Sequence, residues 1–121
     1  AALHGAWCDR RDPAEPPPWR HLLVLYNRLL MLRDDPLVRL NRAVVVAEVE
    51  GVAEALAEVA ALPAHLLRDH LPYHAVRADL LRRVGRPDEA RAAYDRCLGL
   101  NPAPAEALWL RCQRDRIAPS P

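Results

Sequence analysis

The stretch Leu71–Pro102, LPYHAVRADLLRRVGRPDEARAAYDRCLGLNP, decides how the rest of the chain is read. It divides into two helical segments around a tight turn at Gly85. Glycine there supplies the left-handed backbone that ends a helix without strain. Pro87 follows where the next helix begins, since the first helical turn has no use for its missing N–H. Asp88 and Glu89 then set negative charge at the positive end of that second helix. Within it Ala90, Tyr94 and Cys97 fall at i, i+4 and i+7, and Pro102 closes the unit. Small–aromatic–small at that spacing lets one helix lie close to its neighbour while a ring fills the gap between pairs.

This arrangement resembles the tetratricopeptide repeat, a helix–turn–helix unit with a period of about 34 residues. The likeness is closest in the second helix. In the first, Ala78 fits the small position, while His74 and Leu81 stand where the repeat pattern carries Trp and Tyr. The competing explanation is an ordinary helical hairpin that happens to hold a Gly and a Pro. An internal recurrence favours the repeat: Ala43 precedes Ala78 by 35 residues and Gly51 precedes Gly85 by 34. The expected fold is all-α, an antiparallel helical-repeat (tetratricopeptide-like) stack of about five to seven helices.

Outward from the hairpin, the helical period recurs along the chain. Trp19–Arg33 carries Trp19, Leu22, Leu23, Tyr26, Leu29 and Leu30 on one broad apolar face. Asp34-Asp35-Pro36 stops it and starts Leu37–Glu50, whose expected inner side is Leu40, Ala43, Val44 and Ala47. The run Ala43–Val49, AVVVAEV, has strand propensity. Helix is still expected, because the flanking polar residues fit helical faces and no partner strand appears. Val52–Leu62 follows with Ala55, Leu56, Val59 and Leu62 inside, then a connector at Pro63–His70 with about one helical turn. Pro104–Ile117 makes the last helix, expected to pack through Leu108, Trp109 and Cys112. The resulting division is residues 1–18 as the end of a helix (Ala1–Cys8) plus a proline-rich connector (Asp9–Pro18), 19–117 as the helical domain, and 118–121 as a tail. A polyproline docking ligand is the alternative use of DRRDPAEPPP, and a stiff spacer is preferred.

Composition excludes several function classes. All 17 basic residues are Arg, against 16 Asp and Glu, giving a net charge of +1. No basic excess exists to grip nucleic acid or an anionic membrane, and neither partner is expected. The apolar runs fall far short of the roughly 20 residues that span a bilayer, and no signal peptide is visible. The chain begins without Met and reads as a piece of a longer, cytoplasmic protein. Cys8, Cys97 and Cys112 are odd in number and widely spaced, as expected of reduced thiols. Cys97 occupies the small repeat position and is expected to be buried; a Cys97–Cys112 bridge between neighbouring helices is the alternative.

Catalytic and metal-binding motifs are missing. The chain has no GxGxxG, P-loop, GxSxG or HExxH. His4 and Cys8 are spaced for one helix face but lack the third and fourth ligands a metal needs. His70 and His74 are four apart with Pro72 between them, so they straddle a helix start, and His65 falls in the connector. Asp34-Asp35 and Asp88-Glu89 are accounted for by helix N-termini, where a carboxylate is stabilised ionised and not poised as an acid. No enzyme activity, cofactor or metal is expected. What remains is a binding surface. Repeat stacks present the first helix of each pair along a concave face. The expected groove residues are Asn41, Arg42, Glu48, Arg77, Asp79, Arg82 and Arg83, with Arg forks suited to carboxylates. The bland alternative is that they simply solvate a helix face. The residues expected to define the repeat packing are Ala43, Gly51, Ala78, Gly85, Ala90, Tyr94, Cys97 and Pro102.

Four segments together carry a wider resemblance: AALH (Ala1–His4), WRHLLVLYNRLL (Trp19–Leu30), VRLNRAVVVAEVEG (Val38–Gly51) and YHAVRADLLRRVGRPDEARAAYDRCL (Tyr73–Leu98). In that order they are similar to the C-terminal, tetratricopeptide-like extension of a group of bacterial extracytoplasmic-function sigma factors of the sigma-70 family. The resemblance covers nearly the whole chain, and LNRAV together with RADLLRR-x-GR is its most specific part. It implies a regulatory extension that controls transcription initiation, with sigma core regions or RNA polymerase as partner and no DNA contact of its own. A stand-alone scaffold gripping a peptide and a small-molecule sensor are the competing functions.

Overall fold

The computed structural model describes residues 17–117. The expectations for Ala1–Cys8, for the His4–Cys8 pair, for most of the proline-rich connector and for the tail lie outside that range. Seven helices follow in order among the described residues, with no strand: α1 (Trp19–Leu32), α2 (Pro36–Val49), α3 (Val52–Ala60), α4 (Ala64–Leu67), α5 (Leu71–Arg83), α6 (Pro87–Leu98) and α7 (Pro104–Asp115). Each packs on its predecessor in the pairs α1/α2, α2/α3, α5/α6 and α6/α7, while α5 also lies against α3 and α2.

The helix ends follow from local chemistry. Asp35 caps α2, its Oδ1 accepting from the Leu37 N–H at 2.8 Å, with Pro36 in the first turn. Its neighbour Asp34 takes a two-pronged hydrogen bond from Arg39, at 2.6 and 2.7 Å, which holds the Asp34 carboxyl below the usual carboxylate range. At the end of α5 the Arg86 N–H donates to Leu81 O at 2.9 Å and the Gly85 N–H to Arg82 O at 3.2 Å. That is the paired return bonding of a Schellman turn, and Gly85 takes the left-handed φ of +83° it requires. Gly51, after α2, has φ +134°, again a region open to glycine. The valine-rich run of α2 is helical, as its flanking pattern indicated.

Two clusters of buried side chains fill the stack. One holds Leu40, Ala43, Val46, Val59, Leu62 and Leu80 from α2, α3, the turn after α3 and α5. The other holds Ala78, Leu81, Ala90, Tyr94, Cys97 and Leu110 from α5, α6 and α7. Leu56 touches both. The central helix α5 is therefore buried on two sides. That explains its weak repeat signature: Leu81 and Ala78 face one neighbour, Leu80 and Tyr73 the other, so no single apolar stripe emerges. Fully burying side chains such as Leu40 and Leu81 contributes about 1.5–3 kcal/mol each.

Several packing expectations need correction. On α2, Val45 and Val46 are buried while Val44 is only half-buried, because α1, α3 and α5 surround this helix and widen its inner face. On α7 the buried positions are Ala107 and Leu110, joined by Ile117 beyond its end; Trp109 is half-buried, Leu108 is 61% exposed and Cys112 is exposed. Among the described residues α7 packs chiefly on α6, so it buries one narrow side. Cys97 and Cys112 are both free thiols, so no bridge joins them. On α1, Trp19, Leu22, Leu23, Tyr26 and Leu30 are half-buried and none is fully buried, while Leu29 is 46% exposed.

Candidate functional site

Most of the positions expected to define the repeat packing lie in the interior of the stack. Ala43, Ala78, Ala90, Tyr94 and Cys97 are all fully buried, and Pro102, after α6, is half-buried. A side chain larger than Ala at position 43 or 78 would have to push two helices apart. Burial pushes the Tyr94 hydroxyl up to about 12, with the Asp79 carboxylate adding to the rise and Arg82 opposing it. That hydroxyl makes no hydrogen bond of good geometry. Burial likewise pushes the Cys97 thiol up to about 12, with Glu106 contributing, and its Sγ lies 3.8 Å from Leu71 O. Neither group is poised for chemistry at neutral pH.

The expected groove residues are divided among three places. Asp79, Arg82 and Arg83, near the end of α5, are brought together with Glu48 of α2. Arg82 Nη2 donates to Asp79 Oδ1 at 2.7 Å, and Arg83 Nη1 lies 3.5 Å from Asp79 Oδ2 and 3.1 Å from Glu48 Oε1. The result is a half-exposed, charge-balanced ridge across α2 and α5. Beside it Arg82 also borders an open hollow with Gly85, Pro87, Gln113, Arg116 and Ile117.

Arg42 points elsewhere. Its Nε donates to Asn27 Oδ1 on α1 at 2.7 Å, and its Nη1 pairs with Glu58 on α3. One guanidinium thus ties three helices, which is a positioning task. Asn41 is half-buried beside it in sequence.

Arg77 occupies a third place. It lines a hollow of about 440 Å³ with Ala64, His65, Arg68, Tyr73 and His74, where the one-turn helix α4 meets the start of α5. His74 Nε2 bonds Arg68 O at 2.8 Å, and the Tyr73 and His74 rings meet edge to face at 5.0 Å. Sequence reasoning found Arg77 but not its companions. His65 and Arg68 belong to a connector whose fold back onto α5 has no signature in the local pattern. Only the apolar residue Leu67, buried against the first cluster, could have hinted at it.

Among the described residues no group of three His, Cys, Asp or Glu side chains stands close enough to hold a metal ion. No helix among them is long and apolar enough to cross a membrane.

The tetratricopeptide repeat family matches residues 72–114, which span α5, α6 and most of α7. The chain is 40% identical, over all 121 of its residues, to an uncharacterized protein of Rhizobium meliloti (strain 1021). It spans 27% of the length of that curated relative. No solved structure matches the chain. Residues 72–114 thus form a tetratricopeptide-type repeat, set within an all-α helical-repeat stack.

Proposed function

We propose that this chain is a non-catalytic regulatory domain that works by protein–protein contact, as the C-terminal extension of a cytoplasmic extracytoplasmic-function sigma factor. Its partner on this proposal is the sigma core of the same polypeptide or RNA polymerase. Domains built of tetratricopeptide repeats generally mediate contacts between proteins, and the repeat at 72–114 supports that class. The sigma-factor assignment rests on the ordered resemblance of Trp19–Leu30, Val38–Gly51 and Tyr73–Leu98. It accords with a chain that matches only part of a longer relative.

The observation that carries the proposal is the ridge of Glu48, Asp79, Arg82 and Arg83. It is half-exposed with Arg82 outermost, joins two consecutive helix pairs, and presents guanidinium forks that can exchange one carboxylate partner for another. The test is capture of the parent's N-terminal regions by this chain, with and without core polymerase. Capture of the sigma regions alone marks an intramolecular brake or brace; capture only with polymerase marks a contact made during initiation. Arg82→Glu with Arg83→Glu is expected to change reporter transcription. An unchanged reporter together with no capture in either arm would remove the proposal.

A further inference from the structure

Many arginines among the described residues are held by partners within the fold. Arg33, Arg39, Arg42, Arg82, Arg83, Arg86, Arg96 and Arg114 each stand in ion-pair distance of a carboxylate, and Arg91 donates to Ile117 O. Arg20, Arg28, Arg68, Arg77, Arg111 and Arg116 have no such partner among the described residues, and of these Arg68 and Arg77 line the same hollow. No carboxylate lines it with them. The neighbouring acid, Asp69, pairs instead with Arg96 of α6, with 3.3 Å between Asp69 Oδ1 and Arg96 Nη2. The first two turns of α5 form one wall, so the positive end of that helix adds to the field. His65 adds an imidazole, the His74 Nε2 is engaged with Arg68 O, and Ala64 and the Tyr73 ring supply apolar wall.

We propose that this hollow seats an acidic side chain presented by a protein partner, its carboxylate held by Arg68 and Arg77. The inference builds on the interaction-domain function proposed above and assigns that function a second contact, separate from the ridge. Two observations set the class of ligand. The hollow opens to solvent, whereas small-molecule sites bury most of their ligand; a side chain carried on a larger partner needs no such enclosure. The positive charge is one spot on a protein of net charge +1, whereas phosphate backbones are tracked by stripes of basic residues.

The test uses the full 121-residue chain and a short fluorescein-labelled peptide rich in Glu, with its Gln counterpart as control. Binding is followed by anisotropy, and the ring signals of His65 and His74 by NMR. Arg68→Gln with Arg77→Gln is expected to weaken binding about tenfold or more, since charge-assisted forks of this kind are lost. Arg20→Gln with Arg28→Gln, both exposed on α1, is expected to leave it within about threefold. The single variants Arg68→Gln and Arg77→Gln keep the test open should the double variant lose its helical circular dichroism. Equal loss from the α1 variant, equal binding of the Gln peptide, or tighter binding of a single-stranded oligonucleotide of equal charge would each overturn the inference. Capture of the sigma regions reports separately. If it survives Arg68→Gln with Arg77→Gln and the peptide does too, the hollow is excluded and the interaction-domain function stands. If the peptide binds as expected but sigma and polymerase are never captured, the hollow stands and that partner assignment falls.

Discussion

Arg83 of α5 stands 3.1 Å from Glu48 of α2, 35 residues earlier in the chain. The same interval separates Ala78 from Ala43, so the pair joins matching positions of successive helix pairs. Both side chains are about three-quarters buried, at 24% and 21% exposure. A double-mutant cycle on Glu48→Gln and Arg83→Gln is expected to give a coupling near 1 kcal/mol, at the upper end for partly exposed pairs. Urea denaturation of the four chains measures it. Because Asp79 also contacts Arg83, the Arg83 variant should cost more than the Glu48 variant.

Gly85 offers a clean measure of backbone strain. Nothing lies within 4 Å of where a Cβ would sit, yet φ is +83°. Gly85→Ala is therefore expected to destabilise by about 1–2 kcal/mol through the left-handed conformation alone. Asn should cost less, since it tolerates that region better. A thermal melt of both variants would show the order, and equal costs would point to something other than strain.

Cys97 should be chemically silent in the folded protein. With its thiol pushed up to about 12, the reactive thiolate is a fraction on the order of 10⁻⁴ at pH 8. Iodoacetamide at that pH is expected to alkylate exposed Cys112 in the native state and Cys97 only after denaturant is added. Peptide mass spectrometry of the two samples distinguishes them.

The stability of the fold should respond to pH through His70. Burial first, then the charge of His74, holds its imidazole below the usual 6.5. Between that depressed value and 6.5 the unfolded chain binds more protons than the folded one. The stabilising contribution is thus complete above 6.5 and is lost as pH falls through the folded value. Urea midpoints measured from pH 7.5 down to 5.5 should decline, less steeply in His70→Gln. That window lies above the carboxylate titrations.

Much of this architecture is legible in the sequence because its boundaries are written in residues with few alternatives. Pro36, Gly51, Gly85 and Pro87 have backbone preferences strong enough to end or begin a helix wherever they occur. Ala90, Tyr94 and Cys97 likewise announce a close-packed face before any partner is known. The faces of α7 and α2 were harder to read. Leu108 is as apolar as Leu110, and only the position of α6 decides which of them is covered. The charged surface was hardest. Arg42, Arg77 and Arg83 share a residue type, yet one clamps three helices, one borders a hollow, and one joins two repeats. Those fates depend on residues far away in the chain, and local periodicity carries no trace of them.

The double burial of α5 has a consequence for how the molecule comes apart. A helix that contributes Leu80 to one cluster and Leu81 to the other cannot leave either alone. Repeat arrays often fray from their ends, one unit at a time. Here fraying at α1 or α7 halts at the shared rod, and opening beyond that point requires both halves together. Amide protons of α3 and α6, in different clusters, should then exchange at one common slowest rate, the signature of a single cooperative unit.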